Sequence, residues 1–247
     1  MSLLGVDTSP LHSAGPVNDH INFVYTFIFW TSVVIFFGVA SAIVYFALRF
    51  RRKSDDEEPV QTHGNNRLEV IWTAIPFAIL ATLFGITASN MSFITSAPAN
   101  SMKVCVEGVQ FSWTFYYEDS CGTPHATSGG RVSYRPADPA VVSSGGGKLY
   151  IPVGKPVALE VVSDDVNHSF YVPRLAGQVN AIPGQPNHMW LQADRAGEFK
   201  GQCTELCGSG HAGMLLDVIA IPTDNFDTCL NQLRNKQPPS ACTGGNA

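Results

Sequence analysis

Two long stretches of this chain, residues 21–48 and 70–102, contain no charged side chain and are dominated by apolar residues. A helix needs roughly 20 such residues to cross the hydrocarbon core of a bilayer, and both stretches exceed that. A buried core helix would have the same composition, but two of them in 247 residues point instead to a transmembrane hairpin. The pattern predicts helices over 21–48 and 69–91. Pro76 falls inside the second, where a lipid-embedded helix tolerates it better than a soluble one. From Met102 onward the period changes. Short apolar stretches at 148–152, 157–162 and 188–193 are separated by Gly, Pro, Asn and Asp, which predicts an all-β sandwich or barrel. Residues 121–147, rich in Gly, Ser and Pro, read as a long hairpin insertion. After Asp224, the helical spacing of Phe226, Leu230 and Leu233 predicts a short final helix, with the tail beyond Pro238 loose unless Cys242 holds it. There is no internal repeat. The expected organisation is an exterior segment 1–20, a helix hairpin 21–95 with its loop at about 49–68, a β domain 102–222, and a helix and tail 223–247.

Charge gives this hairpin a direction. Charged residues make up 14% of the chain, against about 25% in an ordinary soluble domain. Residues 1–20 contain no Lys or Arg, whereas the loop carries Arg49, Arg51, Arg52, Lys53 and Arg67. The positive-inside rule puts that loop in the cytoplasm and both chain ends outside; Asp55, Asp56, Glu57 and Glu58 weigh little against it. The first apolar run is too long for a signal peptide and lacks a basic stretch in front, which leaves a longer precursor open. The expected location is a membrane, with the β domain on its outer side. Residues 102–247 hold ten Lys or Arg against thirteen Asp or Glu, a mild bias towards a basic partner, and no nucleic-acid partner is expected.

Cysteine usage narrows the chemistry further. Six cysteines, at 105, 121, 203, 207, 229 and 242, fall on the outer side, where disulfides persist. With Cys203 and Cys207 reserved for a metal, four remain, and four allow three connectivities. The local pairs Cys105 with Cys121 and Cys229 with Cys242 are favoured.

The reserved pair belongs to a Cys-x3-Cys-x3-His-x2-Met run formed by Cys203, Cys207, His211 and Met214. Thiolate and thioether ligands are soft and select copper. Zinc also accepts closely spaced cysteines, but methionine is not among its usual ligands. A Cys203–Cys207 disulfide would leave His211 and Met214 without a purpose. A mononuclear blue-copper site uses one Cys, two His and a weak Met. The second thiol here allows two bridged coppers and calls for a second imidazole. His168, just ahead of a β stretch, is the best candidate, with His125 and His188 as alternatives.

Residues 165–173 and 203–214 resemble the two signature segments of cytochrome c oxidase subunit II. The likeness extends to the helix hairpin, the exterior β domain and the order of motifs. It implies a cupredoxin-like fold carrying a binuclear CuA centre. By that resemblance Cys203 and Cys207 are bridging thiolates, His168 and His211 terminal imidazoles, Met214 a weak thioether ligand and Glu205 a backbone-carbonyl ligand. The Glu205 carboxylate is implied to reach a magnesium ion shared with subunit I, a hard cation suited to oxygen. Asp165 is expected to support the ligands without joining them. Residues 68–76 resemble the start of the family's second helix and make Glu69 the mouth of a proton channel; a carboxylate at a helix N-terminus is also favoured by the dipole alone. Residues 108–117 resemble the aromatic segment that receives electrons from cytochrome c. Here Phe111 stands where a tryptophan is usual, while Trp113 keeps the second aromatic. Plain strand packing competes with that role.

The resemblance implies a subunit of a proton-translocating oxidase. It would accept electrons from cytochrome c or a similar soluble donor and pass them to haem in subunit I, where oxygen is reduced. No Cys-x-x-Cys-His run occurs, so no covalently attached haem is expected in this chain. Rival readings are the CuA subunit of a nitric oxide reductase, a non-catalytic cupredoxin copper carrier, and a zinc-structured binding module. A quinol oxidase subunit is disfavoured, because that branch lacks these ligands.

Overall fold

The computed structural model describes residues 12–52, 64–117, 121–122, 125–126, 132–133, 143–144 and 146–243. The chain forms two compact units, one spanning Phe23–Met91 and the other combining Met1–Asn22 with Ser92–Ala247.

The helical unit holds most of α1 (Pro16–Arg49) and α2 (Asn66–Thr95), while the first turns of α1 and the last turn of α2 belong to the β unit. Their mean hydropathies of 2.3 and 2.0, together with exposed apolar groups such as Trp30, Phe36, Trp72 and Phe84, mark them as candidate membrane spans. Polar side chains within them turn inward on the backbone: Thr31, Ser32 and Thr82 each donate to the carbonyl one turn earlier. Asn65 caps α2, accepting from the N–H groups of Arg67 and Leu68. The first helix starts at Pro16, ahead of the apolar run at Ile21. Proline is pre-set for the first helical position, and Val17 and Asn18 are buried in the β unit. The residues before it lie along that unit as a strap. Ala14 N–H donates to Arg174 O, and Asp194 N–H donates to Ala14 O, both at 2.9 Å.

Among the described residues the β unit contains twelve strands. The first five are β1 (Met102–Val109), β2 (Ser112–Tyr117), β3 (His125–Ala126), β4 (Val132–Ser133) and β5 (Ser143–Ser144). Then come β6 (Lys148–Pro152), β7 (Val157–Ser163), β8 (His168–Tyr171), β9 (Gln178–Ala181) and β10 (Asn187–Leu191). The last two are β11 (Gly197–Cys203) and β12 (Leu215–Ile221), followed by α3 (Thr223–Arg234). One sheet has the order β10-β7-β1-β2-β5 and the other β6-β12-β11-β8-β9, with β3 and β4 pairing separately. Trp113, Phe115, Phe170, Phe199, Leu149 and Leu159 fill a common apolar core at 0–1% exposure. Burying side chains of this size stabilises by about 1.5–3 kcal/mol each. The architecture is thus a helix hairpin followed by a β-sandwich of cupredoxin type.

Two disulfides close the periphery, Cys105–Cys121 and Cys229–Cys242. The second fastens the tail to α3, which buries Phe226, Cys229 and Leu230. Of the insertion expected at 121–147, β3 and β4 form a short antiparallel pair, and most of the rest lies outside the described residues.

Candidate metal centre

The Cys203-to-Met214 segment is the connection between β11 and β12. The strand partnership closes it: Cys203 N–H donates to Met214 O at 3.0 Å. Inside, a single 3-10 turn over His211–Gly213 folds the chain back, with His211 N–H on Gly208 O and Met214 N–H on His211 O, both 3.1 Å. This brings side chains at intervals of four, four and three to one point. Cys207 Sγ lies 4.0 Å from Cys203 Sγ, 3.7 Å from His211 Nδ1 and 3.9 Å from Met214 Sδ. The Glu205 carbonyl is 3.2 Å from Cys203 Sγ.

His168 arrives from a different strand. It opens β8, which pairs antiparallel with β11 so that Phe170 faces Cys203. Its ligand atom falls within 4.8 Å of both thiols, and the imidazole is fully buried. Nε2 is 2.8 Å from Asp165 Oδ1. Nδ1 is buried and has no hydrogen-bond partner among the described residues. A buried imidazole nitrogen left so is costly unless something else binds it. The second candidate histidine, His188, is exposed on β10 and outside this group, and the side chain of the third, His125, lies outside the described residues.

The electrostatics are those of a cation site. Burial, then the neighbouring Cys203, push the Cys207 thiol up to about 11. A thiol whose proton is held this way gives it up more readily to a positive charge placed beside it. Burial also opposes ionisation of Asp165, but hydrogen bonds from Gln110 N–H, His168 and Val166 N–H outweigh it and hold its carboxyl below the usual value. The donor set and the orphaned Nδ1 fit a soft metal.

Residues 102–221 match the family profile described as cytochrome c oxidase subunit II, periplasmic domain, and residues 10–88 match its transmembrane domain. A cytochrome c oxidase subunit 2 from Cereibacter sphaeroides is 30% identical over 240 residues, covering 90% of this chain and 78% of the relative. The chain belongs to the cytochrome c oxidase subunit II family. The subunit 2 of Alkalihalophilus pseudofirmus is 39% identical over 204 residues, 79% of this chain. The chain spans about half, 52%, of that relative's length. Among solved structures, the periplasmic domain of subunit II from Bradyrhizobium japonicum aligns with 58% of this chain and 100% of its own at a TM-score of 0.47 and 23% identity. The transmembrane-domain match and the two candidate spans fit a membrane-anchored subunit, and the family implies a copper centre.

The two aromatic residues singled out in the subunit II segment take different positions. Trp113 is completely buried, 6.0 Å from the His168 ring and 5.6 Å from Phe170 in edge-on contacts. Phe111 is 37% exposed, with its ring against Gly208 and Gly210 of the ligand loop. Glu69 sits exposed in the first turn of α2. Glu205 is half-buried and joins no second cluster of metal-ligating side chains among the described residues. Gln110 carried no signal of its own in the sequence, yet it touches the centre twice. Its backbone N–H donates to Asp165 Oδ2 and its side chain to Cys207 O.

Proposed function

We propose that this subunit takes single electrons from cytochrome c, or a similar soluble carrier, at a binuclear CuA centre and hands them to a haem in subunit I. The oxidase so supplied would reduce oxygen to water and translocate protons. The observation that carries the reading is the convergence of two thiols, a thioether and two imidazoles, with His168 Nδ1 buried and unpartnered among the described residues. Soft sulfur donors favour copper, and methionine argues against zinc.

Copper held there would supply a one-electron couple shared between two ions. Cys203 and Cys207 would hold it as thiolates, His168 and His211 as imidazole ligands, Met214 through Sδ and Glu205 through its carbonyl. Asp165 keeps the proton of His168 at Nε2 and thereby frees Nδ1 for the metal. The near-complete burial of Cys203, Cys207, His168 and Met214 excludes water and limits how far the ligands move when charge changes. Phe111, at the surface, would meet the carrier, and Trp113 would lie behind it against His168. The Glu205 carboxylate would reach a magnesium ion at the border with subunit I, and Glu69 would open a proton channel into that subunit. The basic loop between the helices is assigned to the cytoplasm, and both termini and the β unit to the outer, periplasmic side of the membrane.

Copper titrated into the full chain in detergent tests the centre. A paramagnetic signal delocalised over two coppers is expected. A single-copper spectrum, or zinc alone at full occupancy, would overturn the assignment.

A further inference from the structure

Gln110 and Phe111 form the two-residue connection from β1 to β2. Tight hairpin turns select Asn-Gly, Asp-Gly or Gly-Gly, so neither residue is there for turn propensity. Their contacts supply the reason. Gln110 Nε2 donates to the Cys207 carbonyl at 2.5 Å across 97 positions of sequence, and its backbone N–H donates to Asp165 Oδ2 at 2.8 Å across 55. A carbonyl can only accept, which fixes the amide with its nitrogen towards Cys207. The ligand loop is shaped to receive this turn. A Cβ on Gly210 would lie 2.4 Å from Phe111 Cδ2, and one on Gly208 would lie 2.8 Å from Gln110 Nε2. Gly208 also has φ of +133°, a conformation glycine adopts far more readily than other residues.

We propose that Gln110 is a positioning residue for the metal centre, cross-linking the loop that bears Cys207 and His211 to the arm that bears Asp165 and His168. This rests on reading the 203–214 cluster as a metal site. The need for a cross-link follows from the strand pairing. The register between β8 and β11 ends at Phe170 with Cys203, and one more backbone bond, Thr204 N–H to Ser169 O, continues it. His168 and Cys207 both lie beyond that last contact, each on its own chain segment. Gln110 bonds once to each side. One bond reaches the backbone of a ligand residue, and the other reaches the carboxylate that orients a ligand histidine. Losing the side-chain bond would therefore shift ligand geometry without removing any ligand.

Two substitutions in the full-length chain test this. Gln110→Leu removes the side-chain donor and keeps the backbone N–H on Asp165. Gln110→Glu keeps the shape but turns an anionic acceptor towards the Cys207 carbonyl. Its charge alone would shift the potential, so for this variant hydrogen exchange in the copper-free chain decides: faster, as in Leu, if the hydrogen bond matters, and unchanged from the parent if only shape does. Both should load as much copper as the unsubstituted chain. They should release it to a chelator about tenfold faster, with a shifted midpoint potential and an altered copper hyperfine pattern. In the copper-free chain, the amides of His211, Gly213 and Met214 should exchange hydrogen about fivefold faster, as expected for loss of one hydrogen bond. Unchanged potential, hyperfine pattern and release rate in chains that do load copper overturn the positioning role alone. Failure of the unsubstituted chain to take up copper overturns the metal reading itself, and the positioning role with it. If the Leu variant does not fold, the Glu variant, matched in shape, decides the outcome.

Discussion

His168 Nε2 lies 2.8 Å from Asp165 Oδ1, which leaves Nδ1 of the same ring as the buried nitrogen free to bind a metal. Asp165 is itself held by N–H groups of Gln110 and Val166, so one carboxylate fixes the ring of the candidate ligand His168, three residues further along the same segment. Hydrogen bonds of this kind raise ligand basicity and fix ring orientation.

Asp165→Asn keeps the shape and removes the charge. Copper affinity, measured by competition with a chelator, should fall by about 10–100-fold. The strands should stay folded, because Asp165 lies ahead of β8, outside the ladders. An unchanged affinity would remove Asp165 from the account.

Met214 is fully buried and lies 3.9 Å from Cys207 Sγ. Met214→Leu conserves volume, and swaps of this kind usually cost less than about 1.5 kcal/mol. The midpoint potential should therefore move clearly while the thermal unfolding midpoint moves little. Comparable loss of both would count against a weak-ligand role.

The pH response of the metal-free chain follows from Cys207. Its thiol is raised from 9.0 to about 11, first by burial and then by Cys203. The fold thus keeps a proton that the unfolded chain releases earlier. That stabilisation is complete below about pH 9 and is lost as pH rises through about 11. Thermal unfolding of the copper-free chain should weaken over this window more steeply than in Cys207→Ser. Copper affinity should rise with pH across the same range, since the ligand is the thiolate. Parallel unfolding curves for the two chains would refute this.

Gly210 leaves room for Phe111, because an added methyl would stand 2.4 Å from its ring. Gly210→Ala should speed copper loss in the parent chain and have much less effect in a Phe111→Ala background. A double-mutant cycle on the release rate reads this coupling directly. Additive effects would mean the ring and the loop are independent.

Much of this protein could be read before folding. Uncharged runs longer than a bilayer is thick allow few outcomes, and the helices appear over them, although α1 starts at Pro16 because its first turn packs on the β unit. The candidate ligands from Cys203 to Met214 were legible because all four lie within twelve consecutive residues, so one hairpin connection and one 3-10 turn suffice to gather them. His168 was the preferred of three candidate histidines and rested on family likeness more than on chemistry, since its approach depends on the β8 and β11 pairing.

The rest was decided by tertiary structure. The residue types of Cys105, Cys121, Cys229 and Cys242 leave three pairings open, and only the fold brings Cys105 to Cys121 and Cys229 to Cys242. Gln110 is an unremarkable turn residue in the sequence, and its two bonds to the centre span 55 and 97 positions. The physical reason is the same throughout. Hydrophobicity and ligand chemistry are properties of residues and short segments, so the chain displays them directly. A hydrogen bond across the sandwich exists only once strand order and register have brought distant residues within three ångströms or so of each other.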